Sequence, residues 1–126
     1  MLSRANLRIA VIALAVITGV IHLFLGATSL NNVSDPEMQT MGIPLAYLWL
    51  LNGLGYFGLL AAIFLNVPFF SQRRGLAHYL LMAFSAVTIA AYFAVQGLTD
   101  FGAMAIITKV DELLLIVAAY FHMRSS

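Results

Sequence analysis

Hydrophobic residues fill four long stretches of this chain, and short polar segments separate them. The stretches cover residues 7–27, 43–65, 76–95 and 104–123, so each is about 20 residues long. An α-helix rises about 1.5 Å per residue, which gives each stretch about 30 Å, the thickness of the hydrocarbon core of a bilayer. The pattern predicts an all-α fold, an antiparallel bundle of four transmembrane helices that forms one membrane domain.

The segment between the first two stretches carries its own local signals. Ser34-Asp35-Pro36-Glu37 has the S-x-x-E spacing of a helix capping box. This spacing predicts a short surface helix from about Asp35 to Met41. Pro44 suits the first turn of the second long helix, where its missing N–H removes no hydrogen bond.

Composition agrees with the membrane interpretation and removes several function classes. Hydrophobic residues make up 63% of the chain and charged residues only 9%, too few to cover the surface of a water-soluble domain. The chain has no cysteine, which excludes disulfides, thiolate metal sites and Fe–S clusters. Its net charge of +1 does not indicate a nucleic-acid partner. We expect it to meet its partners in or at the membrane.

The distribution of basic residues predicts the orientation. Most of them fall at the N-terminus, between the second and third stretches, and at the C-terminus, and an even number of crossings places these positions on one side. The positive-inside rule makes that side the cytoplasm, so we expect an inner-membrane protein with both termini cytoplasmic. The first stretch has the length of a span, so we interpret it as an uncleaved helix. The basic residues concerned are Arg4, Arg8, Arg73, Arg74 and Arg124.

Small residues predict where the helices approach one another. In lipid, close helix contacts are built from glycine and alanine. The candidates for helix packing are Gly19, Gly55, Gly58, Ala86 and Ala90. The segment from Gly53 to Gly58 also matches G-x-G-x-x-G, but a dinucleotide site needs a strand before that motif, and here it lies in a predicted transmembrane helix.

Polar residues from all four predicted helices fall in the outer half of the membrane. Ionisable side chains at such depth usually face the bundle and pair with one another. We hypothesise that His22 approaches Asp111 or Glu112, and that two amides complete the network. Alternatively, Lys109 and Glu112 neutralise each other three positions apart and the layer serves only packing. The candidate cluster is His22, Asn52, Gln96, Lys109, Asp111 and Glu112.

Two further histidines lie at the inner side, His78 near the start of the third helix and His122 near the end of the fourth. Antiparallel helices could bring them together, and this arrangement suggests the hypothesis that both histidines ligate a haem. We do not expect haem, because both lie near the headgroups, where they suit interfacial positions beside arginines. No metal-site or catalytic motif is present. Exposed aromatic residues are compatible with bound lipid, quinone or carotenoid.

Three segments carry a family resemblance. Ile21–Gly26 in the first helix, Asn52–Gly58 in the second and Lys109–Leu115 in the fourth resemble a family of small four-helix prokaryotic membrane proteins familiar from haloarchaea. That family has no assigned activity. The resemblance implies a bacterial or archaeal inner-membrane protein.

Two functions remain compatible with the sequence. The shortage of catalytic groups favours a non-enzymatic accessory subunit of a larger respiratory or photosynthetic membrane complex, which contacts other subunits or itself. The alternative is an oligomeric transporter of protons, cations or small solutes that uses His22, Asp111 and Glu112. A quinone-linked oxidoreductase would need a redox centre that the sequence does not supply.

Overall fold

The computed structural model describes residues 3–65, 68–73, 75–96 and 102–125, and this part of the chain is all-helical apart from one small hairpin. Ser3 caps the first helix by accepting a hydrogen bond from the Asn6 N–H at 3.1 Å. Four helices are long and the third is a single turn. They are α1 (Arg4–Thr28), α2 (Leu45–Phe64), α3 (Pro68–Ser71), α4 (Leu76–Gln96) and α5 (Ala103–Arg124).

The four long helices form a ring in which α1 packs on α2 and α5, and α4 packs on the same two neighbours. Contacts at one end fix their directions. The Arg8 guanidinium, early in α1, lies 5.5 Å from the ring centroid of Phe64, the last residue of α2. His78, early in α4, bonds His122 near the end of α5. The start of α1 and the end of α5 therefore lie at the same end, which we call the basic end.

The α1–α2 contact is close because glycine faces glycine. A Cβ atom on Gly53 would lie 2.8 Å from the Gly19 carbonyl oxygen, and one on Gly19 would lie 2.8 Å from the Phe57 ring. A Cβ on Gly55 would likewise clash with the Phe84 ring of α4. Glycine at these positions lets the backbones approach as closely as they do.

Three of the predicted packing residues have no such role among the described helices. A Cβ on Gly58 would meet no described atom within 4 Å. Ala86 and Ala90 are exposed on the outside of α4. The reason is the orientation of α4, which turns Ser85 toward the bundle and Ala86 and Ala90 outward.

The predicted surface helix from Asp35 to Met41 is wrong. Only Pro36–Met38 is helical, as one 3-10 turn, and the Asp35 carboxylate rather than Ser34 caps it, accepting from the Glu37 N–H at 3.0 Å. The chain then forms a hairpin in which β1 (Gln39–Thr40) pairs antiparallel with β2 (Ile43–Pro44). Met41 and Gly42 have φ of 51° and 78°, the left-handed pair that a tight two-residue hairpin turn requires.

Within the described ranges, three helices are long and apolar enough to cross a membrane, namely α1, α2 and residues Leu76–Ala94 of α4. The prediction of four transmembrane helices is therefore supported for three of the four long helices. Helix α5 differs because Lys109, Asp111 and Glu112 place three charges within a single turn.

Apolar residues lie both inside and outside the bundle. Val11, Tyr56, Leu81 and Leu115 are fully buried at its centre. Outside, large apolar side chains are exposed on every long helix. They include Phe24 on α1, Leu51 on α2, Val87 on α4 and Val117 on α5. This distribution is consistent with a membrane protein, because lipid rather than water then contacts the outer surface.

Candidate functional site

The candidate site is a buried layer of polar side chains contributed by all four long helices. Its most enclosed member is Glu112 on α5, whose side chain is fully buried. Lys109 lies one turn earlier on the same helix, and its ammonium forms an ion pair with Glu112 Oε1. Burying either charge alone is costly, so the pair lets α5 carry both inside the bundle.

Tyr56 of α2 connects this pair to the opposite side of the bundle. Its hydroxyl donates a hydrogen bond of 2.7 Å to Glu112 Oε2, and the residue is fully buried. The sequence patterns did not single out Tyr56. The available signal was its position four residues after Asn52, which puts both on one face of α2.

His22 of α1 reaches the layer but does not bond either acid of α5. Its Nδ1 donates to the Thr18 carbonyl oxygen at 2.8 Å, which orients the ring. The ring centroid lies 6.0 Å from that of Tyr56, and Tyr56 in turn bonds Glu112. His22 is thus linked to Glu112 through Tyr56 rather than by a hydrogen bond of its own. That His22 and an acid of α5 act together stays a prediction.

Asn52 joins the layer through α4. Its Nδ2 donates to Thr88 Oγ1 at 2.9 Å, and that hydroxyl donates to the Phe84 carbonyl oxygen at 2.8 Å. The amide thus links α2 to α4, while Tyr56 links α2 to α5. These two bonds tie together three of the four helices at one depth.

The layer borders a small cavity of about 110 Å³. Its polar lining includes three residues that the sequence predicts at one level, His22, Asn52 and Lys109. Trp49 and Tyr92 form aromatic walls, and the Lys109 ammonium lies 4.9 Å from the Tyr92 ring centroid. A water occupies about 30 Å³ in the liquid, so the space suits a few waters or one small polar molecule.

Two predicted members stand apart from this network. Asp111 is only 6% exposed, and its Oδ2 has no hydrogen-bond partner among the residues that the structure describes. Gln96 ends α4, but its side chain lies outside the described part of the chain. Within that part, no group of three His, Asp or Glu side chains could hold a metal ion.

At the basic end, the structure brings together the other two histidines. His78 Nε2 and His122 Nδ1 are 2.8 Å apart, a hydrogen bond in which one ring donates to the other. This hydrogen bond joins the start of α4 to the end of α5.

Fold and site together define a small all-helical protein with three candidate membrane-spanning helices and a buried charged layer. The chain belongs to DUF7475, a family of unknown function whose match covers residues 2–122. No curated protein and no solved structure matches the chain.

Proposed function

We propose that this chain is a four-span membrane protein with cytoplasmic termini, and that it serves as a non-enzymatic subunit of a larger membrane complex. Helix α5 crosses as the fourth span because two of its three charges, those of Lys109 and Glu112, pair inside the bundle, where Tyr56 also bonds the acid. The positions of Arg4, Arg8 and Arg73 at the basic end support the orientation.

The observation that carries the subunit role is the alanine ridge of α4, formed by Ala83, Ala86, Ala90 and Ala94. All four residues are exposed, although small side chains in lipid mark contacts between helices. The chain's own helices occupy the opposite face of α4. A transmembrane helix of a partner subunit therefore fits this ridge.

The test replaces the ridge alanines with a larger side chain. We expect the wild-type chain, extracted in mild detergent, to migrate on native gels with a partner and well above its own mass of 13.7 kDa. Ala86→Leu/Ala90→Leu should release the free chain, because bulk on the ridge separates the helices. Ala13→Leu is the matched control, since Ala13 is an exposed alanine of α1.

The native-gel outcomes separate the alternatives. A wild-type chain that migrates alone, or a ridge variant that behaves like the control, contradicts the subunit role. A complex that contains only copies of this chain favours the second candidate.

The second candidate is an oligomeric transporter of protons, cations or small solutes. It is favoured by the cavity beside His22 and Lys109 and by Asp111, a buried carboxylate with one oxygen unpartnered among the described residues. In proteoliposomes it predicts pH-dependent flux that Asp111→Asn or Glu112→Gln abolishes. Glu37→Gln is the control because Glu37 is exposed in the loop. Equal flux with empty liposomes contradicts this function.

A further inference from the structure

A second cavity lies at the basic end and takes no part in the buried polar layer. It measures about 200 Å³ and opens between the four long helices and the α3 turn. Among the described residues, its polar lining consists of two arginines, two histidines and one hydroxyl. These residues are Arg4, Ser71, Arg73, His78 and His122.

No acidic residue close in the sequence compensates the positive charge of the two arginines in this cavity. The sequence contains no Asp or Glu before Asp35 and none between Glu37 and Asp100. The acid on α5 nearest to His122 is Glu112, ten residues or about 15 Å of helix away, and it already pairs with Lys109. The positive-inside rule explains arginines at this end, but it does not require them to converge on one cavity with two histidines.

Several lining groups are already held in place. The His122 side chain is buried, 5% exposed, and its bond to His78 fixes both rings. Arg73 donates from Nη1 to the Phe69 carbonyl oxygen at 2.8 Å, and its guanidinium lies 4.1 Å from the Phe69 ring centroid. Such contacts reduce the side-chain entropy that binding would otherwise cost.

We propose that this cavity binds a phosphate group. Guanidinium groups match the geometry of phosphate oxygens, and the imidazole N–H that the His78–His122 bond leaves free adds a further donor. In the proposed topology the cavity lies at the level of the cytoplasmic headgroups, where basic pockets between helices bind anionic lipid headgroups. The phosphate belongs either to an anionic phospholipid or to a free phosphate ion.

The experiment measures binding by the full chain in detergent with native mass spectrometry, using phosphatidylglycerol, phosphatidylcholine and inorganic phosphate as probes. We expect phosphatidylglycerol or inorganic phosphate to bind at least about tenfold more tightly than phosphatidylcholine. Binding of phosphatidylglycerol alone identifies a lipid source, and competition by inorganic phosphate identifies a free-anion source.

The variant Arg4→Gln/Arg73→Gln should weaken this binding by about tenfold or more, because it removes two charged donors from the cavity. Arg124→Gln is the matched control. It removes one charge at the same end, as each single arginine variant does, but Arg124 lies over the Tyr120 ring at 5.8 Å and does not line the cavity. We expect it to change binding by less than about threefold.

Three results would overturn the proposal: no preference over phosphatidylcholine, an unchanged double variant, or an equal loss in Arg124→Gln. Circular dichroism checks that the variants fold. Should the double variant fail to fold, the single variants Arg4→Gln and Arg73→Gln replace it, each with an expected loss of about three- to tenfold. The readout is independent of any partner on the alanine ridge, so this proposal and the subunit role can fail separately.

Discussion

In the buried polar layer, Lys109 pairs with Glu112 within one turn of α5, and the Tyr56 hydroxyl completes the acid's bonding. At the basic end, Arg4 and Arg73 line an open cavity far from any acid of α5. Both regions are built from the same four helices. In the layer, the chain supplies its own counter-charge, so the charges contribute to folding. At the basic end the counter-charge that we propose is a bound phosphate, so the arginines there serve binding rather than folding.

In the proposed topology, this difference follows from depth. A charge in the middle of a bilayer has no water to solvate it, so it persists only beside an opposite charge and hydrogen-bond donors. A charge at the headgroup level meets water and lipid phosphate and needs no internal partner. Mutations should therefore affect folding stability in the layer and ligand affinity at the basic end.

The largest expected effect comes from Glu112→Gln, which leaves the buried Lys109 unpaired. We expect the free energy of unfolding to fall by about 3–5 kcal/mol, as measured by denaturation in mixed micelles. Lys109→Met/Glu112→Gln should recover most of this loss because it removes both charges. A single variant within about 1 kcal/mol of wild type would mean that the ion pair is not essential to the layer.

The second largest effect is expected at the close α1–α2 contact. Gly53→Ala places a Cβ against the Gly19 carbonyl oxygen, and we expect a loss of about 1–3 kcal/mol in the free energy of unfolding. Gly58→Ala is the control, since no described atom lies within 4 Å of its Cβ and alanine favours helix by up to about 1 kcal/mol. Equal stability of the two variants would contradict the tight contact.

A smaller loss is expected from Tyr56→Phe, which keeps the ring but removes the donor to Glu112. A hydrogen bond to a charged group contributes about 1.5–3 kcal/mol, and we expect a loss near the lower value. Tyr79→Phe serves as the control because Tyr79 is exposed, and it should unfold like wild type. If both variants unfold alike, Tyr56 does not link α2 to α5 energetically.

The smallest effect on stability is expected at the basic end. Arg73→Gln should change the free energy of unfolding by less than about 0.5 kcal/mol, because Arg73 is exposed and bonds a backbone carbonyl rather than an acid. Its effect should be seen in phosphate binding instead. A loss of stability similar to that of Glu112→Gln would remove the distinction between the two regions.

Much of the polar layer could be predicted from depth along each helix. His22, Asn52 and Lys109 were expected at one level, and they line one cavity. Depth alone could not predict which of them touch. That depends on helix rotation, which places Tyr56 between His22 and Glu112 and turns Asn52 toward Thr88.

The loop and the packing residues show where local patterns were insufficient. The S-x-x-E spacing predicted a helix, but Met41-Gly42 favours a tight turn, and the hairpin it closes ends the helical turn at Met38. Gly58 and Ala86 were grouped with Gly19 by composition, and of these three only Gly19 is buried. Small residues indicate that a close contact can form, but they do not indicate with which helix.

The sequence by itself determined the number and approximate bounds of the long helices and the end at which the arginines gather, because these depend on hydrophobic length and local charge. The tertiary structure decided which polar groups pair, which glycines meet a neighbouring backbone and which face of α4 stays outside. Those features depend on how each helix is rotated about its axis, and that rotation is set by packing against neighbours distant in the sequence.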